Sequence, residues 1–292
     1  MRERYVALMD LPEGVDYEFI EGDIRKEEDL DGAFQDVDMV VDLAGITNAP
    51  LSFERKELTT DVNVNGGRKV ADHAAKVGVD KFIYSSTASV YGPTKGIVTE
   101  ETVCKPISPY GETKLQAETY VKGLAKHGKL NATVLRLGTV YGYSIGMRFD
   151  TVVDRFAYLA SIGMPLVVWE SALQEKRPYL HVKDASRAIG HALKGKLKDG
   201  EAYNVVNENA SINRIVEAVK KHVPNVEVKI SPTPNLNQVS YELDGSKIER
   251  EGFKALYGLD EGVGEIVQKF KQLMRAKSRK VSVPVAAKPG RS

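Results

Sequence analysis

Tyr110 and Lys114, four residues apart in the run Tyr110-Gly-Glu-Thr-Lys114, are side chains that could do chemistry together. On a helix that spacing puts both on one face. An ammonium beside a phenol favours the phenolate and draws the tyrosine pKa toward neutrality. A poor base then becomes one able to take a hydroxyl proton while hydride leaves the same carbon. Alone, such a pair is a common surface accident. Here it lies 23 residues after Thr87, in the hydroxyl-rich run Ser85-Ser86-Thr87-Ala88-Ser89-Val90-Tyr91-Gly92. A hydroxyl at the end of a strand there could bond the reacting oxygen and hold it near Tyr110.

Positioning those groups requires a strand ending near Ser85 and a helix starting near Tyr110. The chain supplies both. Lys81-Phe82-Ile83-Tyr84-Ser85 reads as a buried strand, and Pro106 and Pro109 punctuate a loop before a helix expected over Tyr110 to His127. Further strands are expected at Tyr5 to Leu8, Tyr17 to Ile20, Met39 to Leu43, Thr133 to Leu137, Leu166 to Trp169 and Tyr203 to Val206. Helical patterns fall at Asp29 to Phe34, Val62 to Lys76, Val152 to Ile162, Asp184 to Leu193, Ile212 to Lys221 and Val263 to Met274. Apolar runs alternating with helices argue for βαβ units and a parallel sheet. The expected fold is α/β, a doubly wound Rossmann-like sheet with a smaller C-terminal lobe. Residues 1–141 and 178–206 would form the first unit, and 142–177 with 207–275 the second. Residues 276–292 lack periodicity and read as a disordered basic tail, solvated rather than bound to nucleic acid.

The composition narrows the class. A chain of 292 residues with 42% apolar and 28% charged residues is ordinary for a globular protein. A net charge of +1 gives no field to draw it to nucleic acid or an acidic membrane. Cys104 is the single cysteine, so no internal disulfide forms and a reducing cytoplasm is the expected compartment. No apolar run approaches the roughly 20 residues of a membrane helix. The five histidines are scattered, and no spacing suggests a metal site.

Taken with Lys105-Pro-Ile-Ser-Pro-Tyr-Gly-Glu-Thr-Lys114, the Ser85 to Gly92 run resembles the extended short-chain dehydrogenases that act on nucleotide sugars, among them UDP-glucose 4-epimerase. The resemblance spans roughly residues 5–272. It implies that Tyr110 is the catalytic base, that Thr87 orients the substrate hydroxyl, and that Lys114 tunes Tyr110 and bonds the nicotinamide ribose of NAD. Ser85, at the end of the same strand, would line the cofactor. Gly22-Asp23-Ile24-Arg25 is similar to the segment whose Asp23 and Ile24 would touch the adenine. Leu43, Ala44 and Gly45 match a strand end lining the cofactor, and Asn63 matches a residue approaching the pyrophosphate. Thr139, within Leu135-Arg-Leu-Gly-Thr-Val-Tyr-Gly142, stands where many relatives carry Asn and faces the substrate. Arg177, in Arg177-Pro-Tyr-Leu-His-Val-Lys-Asp184, would grip the nucleotide phosphates bidentately. Trp169 would stack on the nucleotide base or, alternatively, pack in the core.

The resemblance also bears on the reaction. Relatives that dehydrate or decarboxylate the sugar place acidic residues just after the threonine, where this chain has Ala88 and Ser89. Epimerisation through a keto sugar needs only a base and reversible hydride transfer. The substrate would be a nucleotide sugar, with UDP favoured over GDP. A homodimer would use the helices near Val62 to Lys76 and Leu115 to His127. One-way sugar reduction or oxidation, and a scaffold without turnover, are the competing readings.

Family members open with a strand, a glycine-rich turn and a helix whose amides bind the pyrophosphate. That first strand and helix are absent here, and the chain starts at the position of the second strand. Asp10 then falls where an acid bonds the ribose hydroxyls and selects NAD, or is a surface aspartate. The expectation is that about 30 upstream residues belong to this fold, the alternative being a sheet that closes differently. The 292-residue chain alone would bind cofactor poorly.

Overall fold

The computed structural model describes residues 13–94, 96–232 and 240–278. In chain order the first half contains α1 (Glu27–Ala33), β1 (Met39–Asp42), α2 (Ala49–Glu54), α3 (Lys56–Thr60), a π-helical turn (Asp61–Gly66) and α4 (Gly67–Val77). Then come β2 (Lys81–Thr87), a 3-10 turn (Ala88–Val90), β3 (Ile97–Val98), α5 (Pro109–Lys126), β4 (Ala132–Leu137) and β5 (Thr139–Tyr141). The second half contains α6 (Val152–Ser161), β6 (Leu166–Trp169), β7 (Lys176–His181), α7 (Val182–Leu193), β8 (Ala202–Val205) and β9 (Glu208–Ser211). It ends with α8 (Ile212–His222), β10 (Val228–Ser231), β11 (Glu242–Leu243), α9 (Ser246–Arg250) and α10 (Leu259–Ser278).

The main sheet runs β1-β2-β4-β8 with every pair parallel. Its central strands, β2 and β4, are buried along nearly their whole length because both faces are covered. On one face Phe82, Tyr84, Ala132 and Val134 pack with Val70, Ala74, Ala117 and Val121 of α4 and α5. On the other, Ile83, Leu135, Tyr203 and Val205 meet Ala185, Ala188 and Ala192 of α7. Ile248 and Phe253 join this second cluster, so residues 246–253 pack with the main sheet although their sequence position suggested the lobe. The lobe has its own core, where Val153, Phe156 and Ala157 of α6 meet Ile215 and Val219 of α8 and Val263 and Ile266 of α10. A three-stranded sheet, β5-β7-β9, joins the two units.

The strand expected at Tyr17 to Ile20 does not form. Residues 15–20 are non-regular, and Tyr17, Phe19 and Ile20 stay about half exposed. Strand conformation pays only when a neighbour satisfies the backbone and a face is buried. Among the described residues β1 has a single strand partner, β2. The expected strand at Tyr5, with Asp10 after it, lies outside the described residues. The last helix, α10, reaches Ser278 and so takes in the first residues of the expected tail; the remainder of that tail also lies outside the described residues.

Candidate active site

The C-terminal end of β2 and the first turn of α5 meet at the candidate site. Ser108 caps α5 by accepting from the Gly111 amide at 3.1 Å, with Pro109 as the first helical residue. Gly111 has no room for a side chain: a Cβ would sit 2.8 Å from the Ser89 carbonyl oxygen and 2.9 Å from Pro106 Cβ. The helix start therefore rests directly on the turn that follows Thr87. From there the Tyr110 side chain reaches Thr87, whose hydroxyl is within hydrogen-bonding reach of the phenol oxygen and favours its ionised form. Thr87 also accepts from the Ser89 amide at 3.2 Å, which fixes its rotamer. The Tyr110 amide donates to Ser52 Oγ at 3.0 Å, tying this turn to α2.

These groups line a cleft of about 530 Å³ whose walls include Ser85, Thr87, Tyr110, Thr139, Arg148 and Asp154. Burial pushes the Tyr110 phenol above its usual range, and the Thr87 hydrogen bond and the Arg148 cation pull it partly back. The Lys114 ammonium, expected to act on that phenol, is directed elsewhere. It lies 4.2 Å from the centroid of the Tyr84 ring, and the charges acting on it are Asp42 and Glu118. Burial draws Lys114 down to about 8 in spite of those two carboxylates. Lys114 shares a helix face with Tyr110, but its charge is engaged with the strand ends beneath.

Below the cleft, polar residues form cross-strand rows on the sheet face that α5 covers. Asp42 is paired in register with Tyr84, and Ser86 with Arg136, which is paired with Asn204. Arg136 grips Glu118 of α5 at 2.6 and 3.1 Å, and both side chains are almost wholly buried. Glu118 Oε2 accepts from Ser86 at 2.7 Å, and Arg136 donates to the Tyr91 hydroxyl at 2.8 Å. Tyr91 in turn donates to Asn204 at 2.6 Å. Ser86, Glu118, Arg136, Tyr91 and Asn204 thus satisfy one another, as burial demands.

At the mouth of the cleft two loops are strapped together. Arg148 forks onto Asp150 at 2.6 and 3.0 Å and donates to Thr47 Oγ1 at 3.2 Å, while Asn48 donates to Asp150 at 3.0 Å. Phe149, between the two charged residues, anchors the strap by edge contacts with Tyr158 and Phe270.

The other expected site residues divide. Ser85 and Thr139 line the cleft. Leu43, Ala44 and Gly45 form an exposed lip at the end of β1, with Gly45 at φ +152° and Asn63 Oδ1 3.0 Å from where its Cβ would be. Asn63 turns its side chain to neighbouring residues. It is buried in the π-helical turn, accepts from the Ile46 amide at 2.7 Å, and donates to the Ile46 carbonyl and Thr113 Oγ1. It thus clamps the lip to α5. Asp23 is committed to Arg25, which continues to Asp61, and Ile24 packs beside Gly66; neither lines the cleft. Arg177 lies over the Tyr241 ring at 5.6 Å and Trp169 is 37% exposed, so Trp169 is not a core residue. Both stand outside the cleft walls.

Glu118, Asp42 and Arg148 were not singled out from sequence. The Tyr110-Lys114-Glu118 spacing, one helical turn repeated, was the available signal for Glu118. An aspartate closing the apolar run Met39-Val-Val-Asp42 was the signal for Asp42.

A parallel sheet with Thr87 at the end of β2 and Tyr110 and Lys114 in the first turns of α5 defines a Rossmann-like α/β architecture. The chain belongs to the NAD dependent epimerase/dehydratase family, whose profile matches residues 2–206. It is 29% identical over 269 residues to the dTDP-D-glucose 4,6-dehydratase of Mus musculus, covering 88% of this chain and 74% of that protein. With a putative UDP-glucose 4-epimerase of Methanocaldococcus jannaschii it shares 28% identity over 262 residues, covering 87% and 84%. The UDP-glucose 4-epimerase of Thermus thermophilus, solved in complex with NAD, superposes with a TM-score of 0.78 at 25% identity, covering 90% of this chain and 87% of that one. NAD is the cofactor of the family. The strand ends fit such a ligand: Asp42 Oδ2 and the Tyr84 hydroxyl are buried without a partner beside Lys114 and below the open Leu43–Gly45 lip.

Proposed function

We propose that the chain is a NAD-dependent nucleotide-sugar epimerase acting on a UDP-sugar. The observation that carries this reading is the Thr87 hydroxyl bonded to the Tyr110 phenol inside a cleft at the strand ends. When bound, NAD supplies the acceptor and later the donor of hydride at one sugar carbon. The chain's own residues do the rest. Thr87 orients the sugar hydroxyl against Tyr110, and Tyr110 holds its proton during the keto stage and returns it afterwards. Lys114, with Leu43, Ala44, Gly45 and Ser85, holds the cofactor. Thr139 faces the sugar, and Arg177 and Trp169 are assigned to the nucleotide half.

Ala88 and Ser89 support epimerisation over elimination, because neither can exchange a proton as a carboxylic acid does. A second reading, dehydration, has the mouse relative's activity in its favour. Incubation with UDP-glucose, UDP-glucuronic acid and dTDP-glucose, with products followed by NMR, separates the two. The expected product is the C4 epimer with no net NADH. A 4-keto-6-deoxy sugar, or NADH accumulating with turnover, refutes epimerisation.

A further inference from the structure

A buried lysine needs a buried negative charge. Lys114 is 5% exposed, and the carboxylates that act on it are Asp42 and Glu118. Glu118 is already neutralised. Arg136 holds it through a double hydrogen bond, and Ser86 donates to its second oxygen. Asp42 is the carboxylate without a cation of its own. It is 4% exposed, its Oδ1 accepts from the Ala44 amide at 3.0 Å, and among the described residues its Oδ2 has no hydrogen-bond partner.

Sheet register brings Asp42 and Lys114 to the same ring. Asp42 of β1 stands directly opposite Tyr84 of β2, on the face covered by α5, and the Lys114 ammonium lies over Tyr84. We infer that Asp42 is the counter-charge of Lys114, acting across the Tyr84 ring rather than through a direct ion pair, and so a positioning residue for the ammonium at the strand ends.

The charge balance of the cluster closes under this assignment. Arg136 pairs with Glu118 and Lys114 with Asp42, which leaves no cation or carboxylate of the cluster unmatched. The ionisable groups facing Lys114 are Asp42 from β1 and Glu118 from its own helix, with the Tyr84 ring beneath it. Those facing Asp42 are Lys114 from α5 and Tyr84 from β2. Burial raises the Asp42 carboxyl and lowers the Lys114 ammonium, so each ion depends on the other to stay charged. Removing the negative charge must push Lys114 further down.

The test is a titration of Lys114 itself, in the full chain labelled with ¹³C-lysine, its signal identified by loss in Lys114→Met. In the wild type the midpoint is expected near 8. Asp42→Asn keeps an oxygen for the Ala44 amide and removes the charge, and it should lower the midpoint by at least one unit, a tenfold change in the protonation constant. Glu118→Gln should move it less. An unchanged midpoint in Asp42→Asn, or a larger displacement in Glu118→Gln, overturns the assignment. Should Asp42→Asn fail to fold, Asp42→Ser gives the same comparison, and Asp42→Glu should restore the wild-type midpoint. The consequence for turnover rests on the proposed function, which is tested separately by titrating the wild type with NAD. A wild type that ignores NAD while Lys114 responds to Asp42 rejects the function and leaves the pairing intact.

Discussion

The Lys114 ammonium sits 4.2 Å above the Tyr84 ring, while the Tyr110 phenol one helical turn earlier is bonded to Thr87. The two residues share a face of α5 but not an electrostatic environment. Thr87 and Arg148, rather than Lys114, relieve the burial that raises the phenol. The base and the cation are therefore tuned by different neighbours and respond to different substitutions.

Replacing Tyr110 with Phe removes the proton-holding oxygen and keeps the ring. Turnover with a responsive UDP-sugar should fall by roughly 10²–10⁴-fold, with the circular dichroism spectrum and melting temperature preserved. Thr87→Val should lose less, because the phenol remains. Retention of full activity by Tyr110→Phe would show that this cleft is not where catalysis occurs.

Arg148 is the cation that favours ionisation of Tyr110. Arg148→Gln should raise the phenol pKa, so the rising acidic limb of kcat/KM moves to higher pH. Arg148→Lys should leave the limb closer to its wild-type position. A pH–rate profile on the three proteins decides, and identical limbs would dismiss the coupling.

The Arg136–Glu118 pair is buried, with side chains 4% and 1% exposed. Arg136→Met strands the carboxylate and should cost about 3–5 kcal/mol in urea unfolding. Adding Glu118→Gln removes the stranded charge and should recover much of that loss. A double variant no more stable than Arg136→Met alone contradicts the pairing argument.

Burial pushes the Asp154 carboxyl up to about 6, despite bonds from the Gly142 amide and the Thr151 hydroxyl. Its folded pKa lies above its unfolded value, so its contribution to stability is complete below the unfolded pKa and is lost as pH rises through about 6. Asp154→Asn should gain roughly 1–3 kcal/mol relative to the wild type between pH 4 and pH 7. Urea melts at the two pH values measure this, and a gap that does not widen with pH rules it out.

Gly111→Ala would place a Cβ 2.8 Å from the Ser89 carbonyl oxygen. The first turn of α5 must then lift from the turn after Thr87, and the Thr87–Tyr110 contact should lengthen. Activity is expected to fall at least about tenfold, since small misplacements of reacting groups are costly. An active, equally stable Gly111→Ala protein would show that the close approach is dispensable.

Much of this protein was settled by local pattern. The runs read as strands at 39–43, 81–85 and 133–137 form β1, β2 and β4 to within two residues at either end, and the helix expected from Tyr110 starts at Pro109, because capping and burial are short-range effects. The same holds for the meeting of Thr87 with Tyr110, which follows from a strand end and a helix start joined by a constrained loop. What sequence could not settle was direction and partnership. The segment at 17–20 has strand composition and is non-regular. Asn63 has the chemistry to touch a phosphate and is spent on Ile46 and Thr113. Lys114 has the spacing to meet Tyr110 and lies over Tyr84, because β1 and β2 place Asp42 and Tyr84 side by side under α5. Spacing along a helix fixes which face a side chain leaves from, and only the sheet beneath decides which charge it finds there.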